Sequence, residues 1–175
     1  VDVASAARIL RLGAPLANSV VAGQLTLRDV WPDDRVASPV VIQNCVIDSI
    51  DAGFVTFEDP VALEGVDVLG DCIFHSCFFP SGFSALRCQF RRGIDLRWGG
   101  HNKDRAVFSL VECEFGGFAD FEDDWFEGPV LIRRCGFRSG ANLLGMIGRP
   151  CQVRFDIEPV IESNIGALDR DEPPR

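Results

Sequence analysis

Tyrosine is missing from the 175 residues, lysine occurs once (Lys103) and histidine twice (His75 and His101). Two imidazoles exclude a three-histidine metal site within one chain. With 17 cationic against 26 anionic side chains, the formal net charge of −9 argues against a protein that neutralises a phosphate backbone. No apolar run reaches the roughly 18–20 residues of a membrane-spanning helix. The Cys-x-x-Cys pair, Gly-x-Ser-x-Gly, His-Glu-x-x-His and the Walker loop are all absent, so no metal, cofactor or catalytic constellation is expected. Disorder is excluded as well, because 47% of the residues are hydrophobic and only 25% are charged. The length suits one domain with a real core.

Cysteine is plentiful, at positions 45, 72, 77, 88, 113, 135 and 151. An odd count without a signal-like segment points to reduced thiols and a cytoplasmic location. The cysteines also mark a repeat. Apolar-x-x-Cys-x-(Phe/Ile) occurs as Ile42-x-x-Cys45-x-Ile47, Leu69-x-x-Cys72-x-Phe74, Phe74-x-x-Cys77-x-Phe79, Ala85-x-x-Cys88-x-Phe90, Leu110-x-x-Cys113-x-Phe115 and Ile132-x-x-Cys135-x-Phe137. From Ile47, steps of 22, 21, 25 and 22 residues lead to Leu69, Phe90, Phe115 and Phe137.

Within one period the large apolar residues fall five or six apart, as in Phe115, Phe121, Phe126, Ile132, Phe137 and Leu143. That spacing fits neither a helix face nor an alternating strand. It fits a chain that turns a corner after every short strand and points one large side chain inward from each side. Four sides close a coil, and coils stack at about 4.8 Å. The expected fold is therefore all-β, a parallel β-helix (solenoid) of four to five coils. The cysteines then lie on the tight inner face as small buried hydrophobes. Asp71, Arg87, Glu112 and Arg134, each just before a Cys, are expected to stack as a ladder of facing charges.

These residues resemble the pentapeptide-repeat family. Cys72-Ile73-Phe74-His75-Ser76 runs directly into Cys77-Phe78-Phe79-Pro80-Ser81, two units in phase. Ala119-Asp120-Phe121 and Ala141-Asn142-Leu143 match the family's core triplet, and Ile94-Asp95-Leu96 matches it loosely. The resemblance covers about two thirds of the chain and implies a right-handed, four-sided helix. It also implies a link to type II topoisomerases, which one branch of the family protects with the help of loops bulging from the coils.

The ends differ from the middle. Residues 1–38 form an N-terminal cap, in which Ala4 to Leu12 reads as a short helix stopped by Gly13 and Pro15, and Trp31-Pro32-Asp33-Asp34 reads as a turn. The coils occupy 39–157. Residues 158–175 are a C-terminal segment ending in a loose tail.

Two places depart from the repeat and are expected to bind a partner. The insertion in the 25-residue period carries Trp98, His101, Asn102, Lys103, Asp104 and Arg105 on a glycine-hinged loop. An acidic face is formed by Asp120, Glu122, Asp123, Asp124 and Glu127 around Trp125. His75 stands between Cys72 and Cys77, but the repeat phase turns the thiols inward and the imidazole outward, which opposes a nucleophilic dyad.

The expected function is a non-catalytic protein-interaction scaffold whose partner is another protein, with no direct nucleic-acid or membrane binding. A homodimer or membership of a larger assembly is compatible with open coil ends. The alternative is a DNA-mimicking regulator of a topoisomerase or another DNA-binding enzyme. An enzyme would need a groove with carboxylates on successive coils at one phase.

Overall fold

A computed structural model describes residues 1–31, 33–145 and 152–170. Cys151, Pro32 of the expected turn and the tail beyond residue 170 lie outside the described residues. Every named strand pair is parallel, as a coil that always returns in the same direction requires. Along the first side lie Leu16–Ala17, Val40–Gln43, Val61–Glu64, Phe83–Leu86, Phe108–Val111, Val130–Arg133 and Val160–Glu162, in that order. Seven stacked strands make about six turns, so the parallel β-solenoid is slightly longer than the sequence spacing suggests. Strand pairing starts at Leu16, preceded by an isolated bridge between Asp2 and Ala22, and reaches an isolated bridge between Gly136 and Ile165.

The other three sides follow by register. Ile47, Val68, Phe90, Phe115 and Phe137 stack on the second side. Ile50, Cys72, Ile94 and Ala119 point inward on the third, and Val36, Phe57, Phe79, Phe126 and Phe155 line the fourth. The inward aromatics stack as the coils do. Phe115 lies 5.1 Å from Phe90 and 4.8 Å from Phe137 between ring centroids, with planes nearly parallel.

One member of the sequence ladder is corrected. Leu69 is 43% exposed, and its neighbour Val68 fills the slot between Ile47 and Phe90. Two adjacent apolar residues make the phase ambiguous to a spacing rule, and the hydrogen-bond register resolves it. The match at Leu69-x-x-Cys72 is thus out of phase with the others.

The corner between the first and second sides explains the cysteines. Asn44, Gly65, Arg87, Glu112 and Arg134 all take a left-handed backbone there, with φ of 51–61°. The residue that follows each one turns inward. Cys45, Cys88, Cys113 and Cys135 occupy that slot, and their Sγ atoms donate to the carbonyls of Leu16, Leu63, Ala85 and Leu110 one coil back, at 3.4–3.5 Å. Val66 takes the slot in the remaining coil. In the last coil Asn164 does the same work, its Nδ2 donating to the Ile132 carbonyl at 2.9 Å. A thiol is small enough for the corner and still offers a weak donor to a buried carbonyl.

The expected charge ladder at this corner is realised in part. Arg134 pairs with Glu112 of the coil below at 2.6 Å, whereas Arg87 pairs with Glu64, and Gly65 stands where the ladder would need Asp71. Arg35–Glu58, Arg91–Asp67 and Arg133–Glu162 also tie successive coils together on the outer surface.

The N-terminal helix, Val3–Arg11, is capped by Asp2, whose carboxylate accepts from the Ser5 amide at 2.7 Å. Its buried face, Ala6 and Leu10, joins the core of the first coil beside Leu16, Val21, Leu27 and Val30. This covers the end of the stack, which would otherwise expose apolar interior.

Candidate functional site

The fourth side and the corner that leads into it gather what the sequence scatters. Phe54, His75 and Trp98 form one outward row along the solenoid axis. The Phe54 and His75 centroids are 4.9 Å apart, and His75 and Trp98 are 6.3 Å apart. Phe78, His101 and Trp125 form a second row, at 4.5 and 5.2 Å. Both histidines and two of the three tryptophans therefore meet on one surface. Among the described residues the three most exposed aromatic side chains are all here: Phe54 (54%), Trp98 (47%) and Phe78 (40%).

Local backbone geometry sets the second row. Phe78, Gly100 and Trp125 are bridged in register, so an ordinary residue at 100 would point outward between the two rings. Gly100 (φ 91°) and His101 (φ 54°) instead form a left-handed bulge, and the imidazole of His101 takes the outward slot. A Cβ at position 100 would lie 2.7 Å from the Trp125 carbonyl, so glycine is needed. His101 Nδ1 lies 3.2 Å from Glu127 Oε1, and Trp125 Nε1 donates to Asp156 at 3.1 Å.

The predicted loop is smaller than its sequence. Trp98 is a left-handed corner residue, Gly99 lies inside, and Gly100 and His101 belong to the coil. Where Phe78 to Phe83 and Trp125 to Val130 each take five steps, Gly100 to Phe108 takes eight. Only Lys103, Asp104 and Arg105 stand out as an exposed bulge. Asn102 is corrected from a partner-binding residue to a fastening. It is fully buried, donates from Nδ2 to the carbonyls of Ala106 and Pro129 at 2.8 Å each, and accepts from the Gly128 amide on both its backbone and side-chain oxygens. Asn102→Ala is expected to cost about 2–3 kcal/mol in a denaturant titration, since buried partners are left unpaired. Lys103→Ala should change stability by less than about 0.5 kcal/mol, as exposed substitutions do.

The predicted acidic face also divides. Asp123 is exposed at a corner (φ 58°), directly over Trp98 in the stack, and Glu122 and Glu127 are partly exposed beside it. Asp120 is tied to Arg97 at 3.4 Å and to Asn142 at 2.7 Å. Asp124 is corrected outright: it is 1% exposed and points into the interior. The residue after a left-handed corner turns inward, as Cys77 does after Ser76 and Gly99 after Trp98. The Asp124 Oδ1 accepts from the Gly99 amide at 2.8 Å, while Oδ2 has no hydrogen-bond partner. Burial raises its carboxyl well above the usual range, and Asp120, Asp95 and Asp123 add to the effect.

Beside the Trp98 corner, the third side carries a shallow groove of about 530 Å³ lined by Asp71, Arg92, Asp95, Arg97, Phe118 and Asp120. Asp95 and Asp120 do lie at one phase on successive coils. Arg97 holds both, at 2.9 Å from Asp95. Burial alone would raise the Asp95 carboxyl, but the hydrogen bonds and charge of Arg97 outweigh it and hold it below its ordinary value. His75 Nδ1 lies 3.5 Å from the same carboxylate. Cys72 and Cys77 are buried, and burial pushes the Cys77 thiol up to about 12, so neither is an activated nucleophile at neutral pH.

The two sequence candidates thus become neighbours, because the Trp98 amide donates to the Glu122 carbonyl and the His101 amide to that of Trp125. Phe54, His75, Phe78 and Trp125 were not among the expected site residues. The usable signal was the coil period itself, which places 54, 76, 98 and 123 in one column. Among the described residues no group of His, Cys, Asp and Glu could hold a metal ion, and no helix is long and apolar enough to cross a membrane. Comparison with protein-family models, with curated proteins and with solved structures returns no match.

Proposed function

We propose that this chain is a non-catalytic interaction scaffold of the pentapeptide-repeat type, which docks another protein on its aromatic side. The observation that carries the reading is the gathering of the exposed aromatic rings on one surface of a rigid stack. Exposed aromatic patches of this kind mark interaction sites, and Trp and Arg are the residues that dominate interface energetics. The pentapeptide assignment is supported by the four-sided coil with one large inward residue per side. A DNA mimic would need an unbroken anionic surface, whereas the acids here alternate with Arg partners from the neighbouring coil.

The test is capture from lysate by the immobilised chain, compared with a variant in which Phe54, Phe78 and Trp98 are all changed to Ser. These side chains are exposed, so the variant should melt within a few degrees of the parent. Recovery of the bound protein should fall about tenfold or more, as loss of interface anchors predicts. Unchanged recovery, or turnover of a substrate by the purified chain, would overturn the proposal.

A further inference from the structure

Resting on that reading, we infer that the segment docked on the aromatic side is cationic, a stretch of polypeptide bearing arginine or lysine. The rings themselves point to this. Three of them already carry a guanidinium of the chain's own: Arg28 over Phe54 at 5.8 Å, Arg97 over Trp98 at 4.9 Å and Arg154 over Trp125 at 4.4 Å. A surface whose rings take cations within one molecule offers the same π-faces to cations from another. Phe78 and His101, the first two rings of the second row, have no such cation over them among these contacts.

The charges around the rings have the matching sign. Glu122, Asp123 and Glu127 edge the Trp98 corner and the second row, and Asp95 and Asp120 lie just behind. Of the cations, Arg97 is held by Asp95 and Asp120, and Arg154 by Asp156 at 2.9 Å. The bulge adds Lys103 and Arg105 against Asp104, while Glu122 and Asp123, without an ion-pair partner among the described residues, lie beside Trp98. A cation arriving there meets the part of Trp98 that Arg97 leaves exposed, 47% of the residue, with the Asp123 carboxylate beside it. The net charge of −9 steers such a partner inward from a distance and repels nucleic acid and acidic peptides. Strand addition is not available on this side, because the coils above and below already pair the backbone.

The probe is a ten-residue peptide alternating Arg and Gly, followed by tryptophan fluorescence and calorimetry on the full chain. A Glu-Gly peptide and an uncharged Leu-Ser peptide serve as comparisons. The Arg-Gly peptide should bind, and the other two should not. Its affinity should fall about tenfold on raising salt from 50 to 300 mM, since exposed charges are screened. A similar loss is expected for the double variant Glu122→Gln/Asp123→Asn and for Trp98→Ala. The control Glu112→Gln/Glu114→Gln removes two exposed acids at the corner between the first and second sides, away from the aromatic rows, and should leave binding unchanged. If the control weakens binding as much as the site variants do, the attraction is that of the whole acidic surface and the inference fails. It fails too if the Leu-Ser peptide binds as well, independently of salt. Either result leaves the docking surface itself standing, because that is decided separately by the lysate capture with the triple Ser variant.

Discussion

Asp124→Asn should raise the melting temperature at pH 8 and change it little at pH 4. The asparagine keeps an oxygen for the Gly99 amide and removes a carboxylate that has no second partner inside the stack. Because burial raises this carboxyl in the folded chain, the folded state keeps its proton to higher pH than the unfolded state does. Below the unfolded value, about 4, both states are protonated and the group carries no penalty. As pH rises from there toward the folded value, the wild type loses stability, and above the folded value the loss is complete. The variant lacks this dependence, so its advantage grows with pH across that window. Carboxylates remote from position 124 titrate alike in both proteins and cancel in the difference. Stability curves at several pH values check this, and a difference independent of pH would show that Asp124 is not held protonated by burial.

Phe115→Ala should cost about 3–5 kcal/mol, the loss of a buried aromatic side chain plus the cavity it leaves. The ring lies between Phe90 and Phe137 in the middle of the second side, so its removal opens contacts with both neighbouring coils. For a chain of this length the melting temperature should drop by roughly 10 °C or more. Because each coil touches only its neighbours, the defect should also loosen coupling between the two halves of the stack and broaden the transition. An unaltered melting curve would mean that this position does not face the interior.

The period and the inward phase were legible from sequence because they depend on side-chain size, which repeats every four sides. Phe115, Phe121, Phe126, Ile132, Phe137 and Leu143 all lie inside as their spacing requires. The failures have a common origin at corners. Spacing treats Glu122-Asp123-Asp124 as one solvated run, but the left-handed turn at Asp123 rotates the next side chain through the wall. Asn102 looks like loop polarity, yet its side-chain amide makes three hydrogen bonds that fasten the bulge. The aromatic side was illegible for another reason. Phe54, Phe78 and Trp125 are 24 and 47 residues apart, and only the register of the coils makes them neighbours.

The buried cysteines have a use beyond filling corners. Six described thiols are free and buried, distributed from Cys45 in the second coil to Cys135 near the far end. Burial keeps Cys72 and Cys77 protonated, so an alkylating reagent reaches them only when their own coil opens. Each thiol is therefore a clock for one rung of the stack. Pulsed labelling read peptide by peptide would time the unzipping of this solenoid coil by coil, and show from which end it begins, without a single engineered reporter.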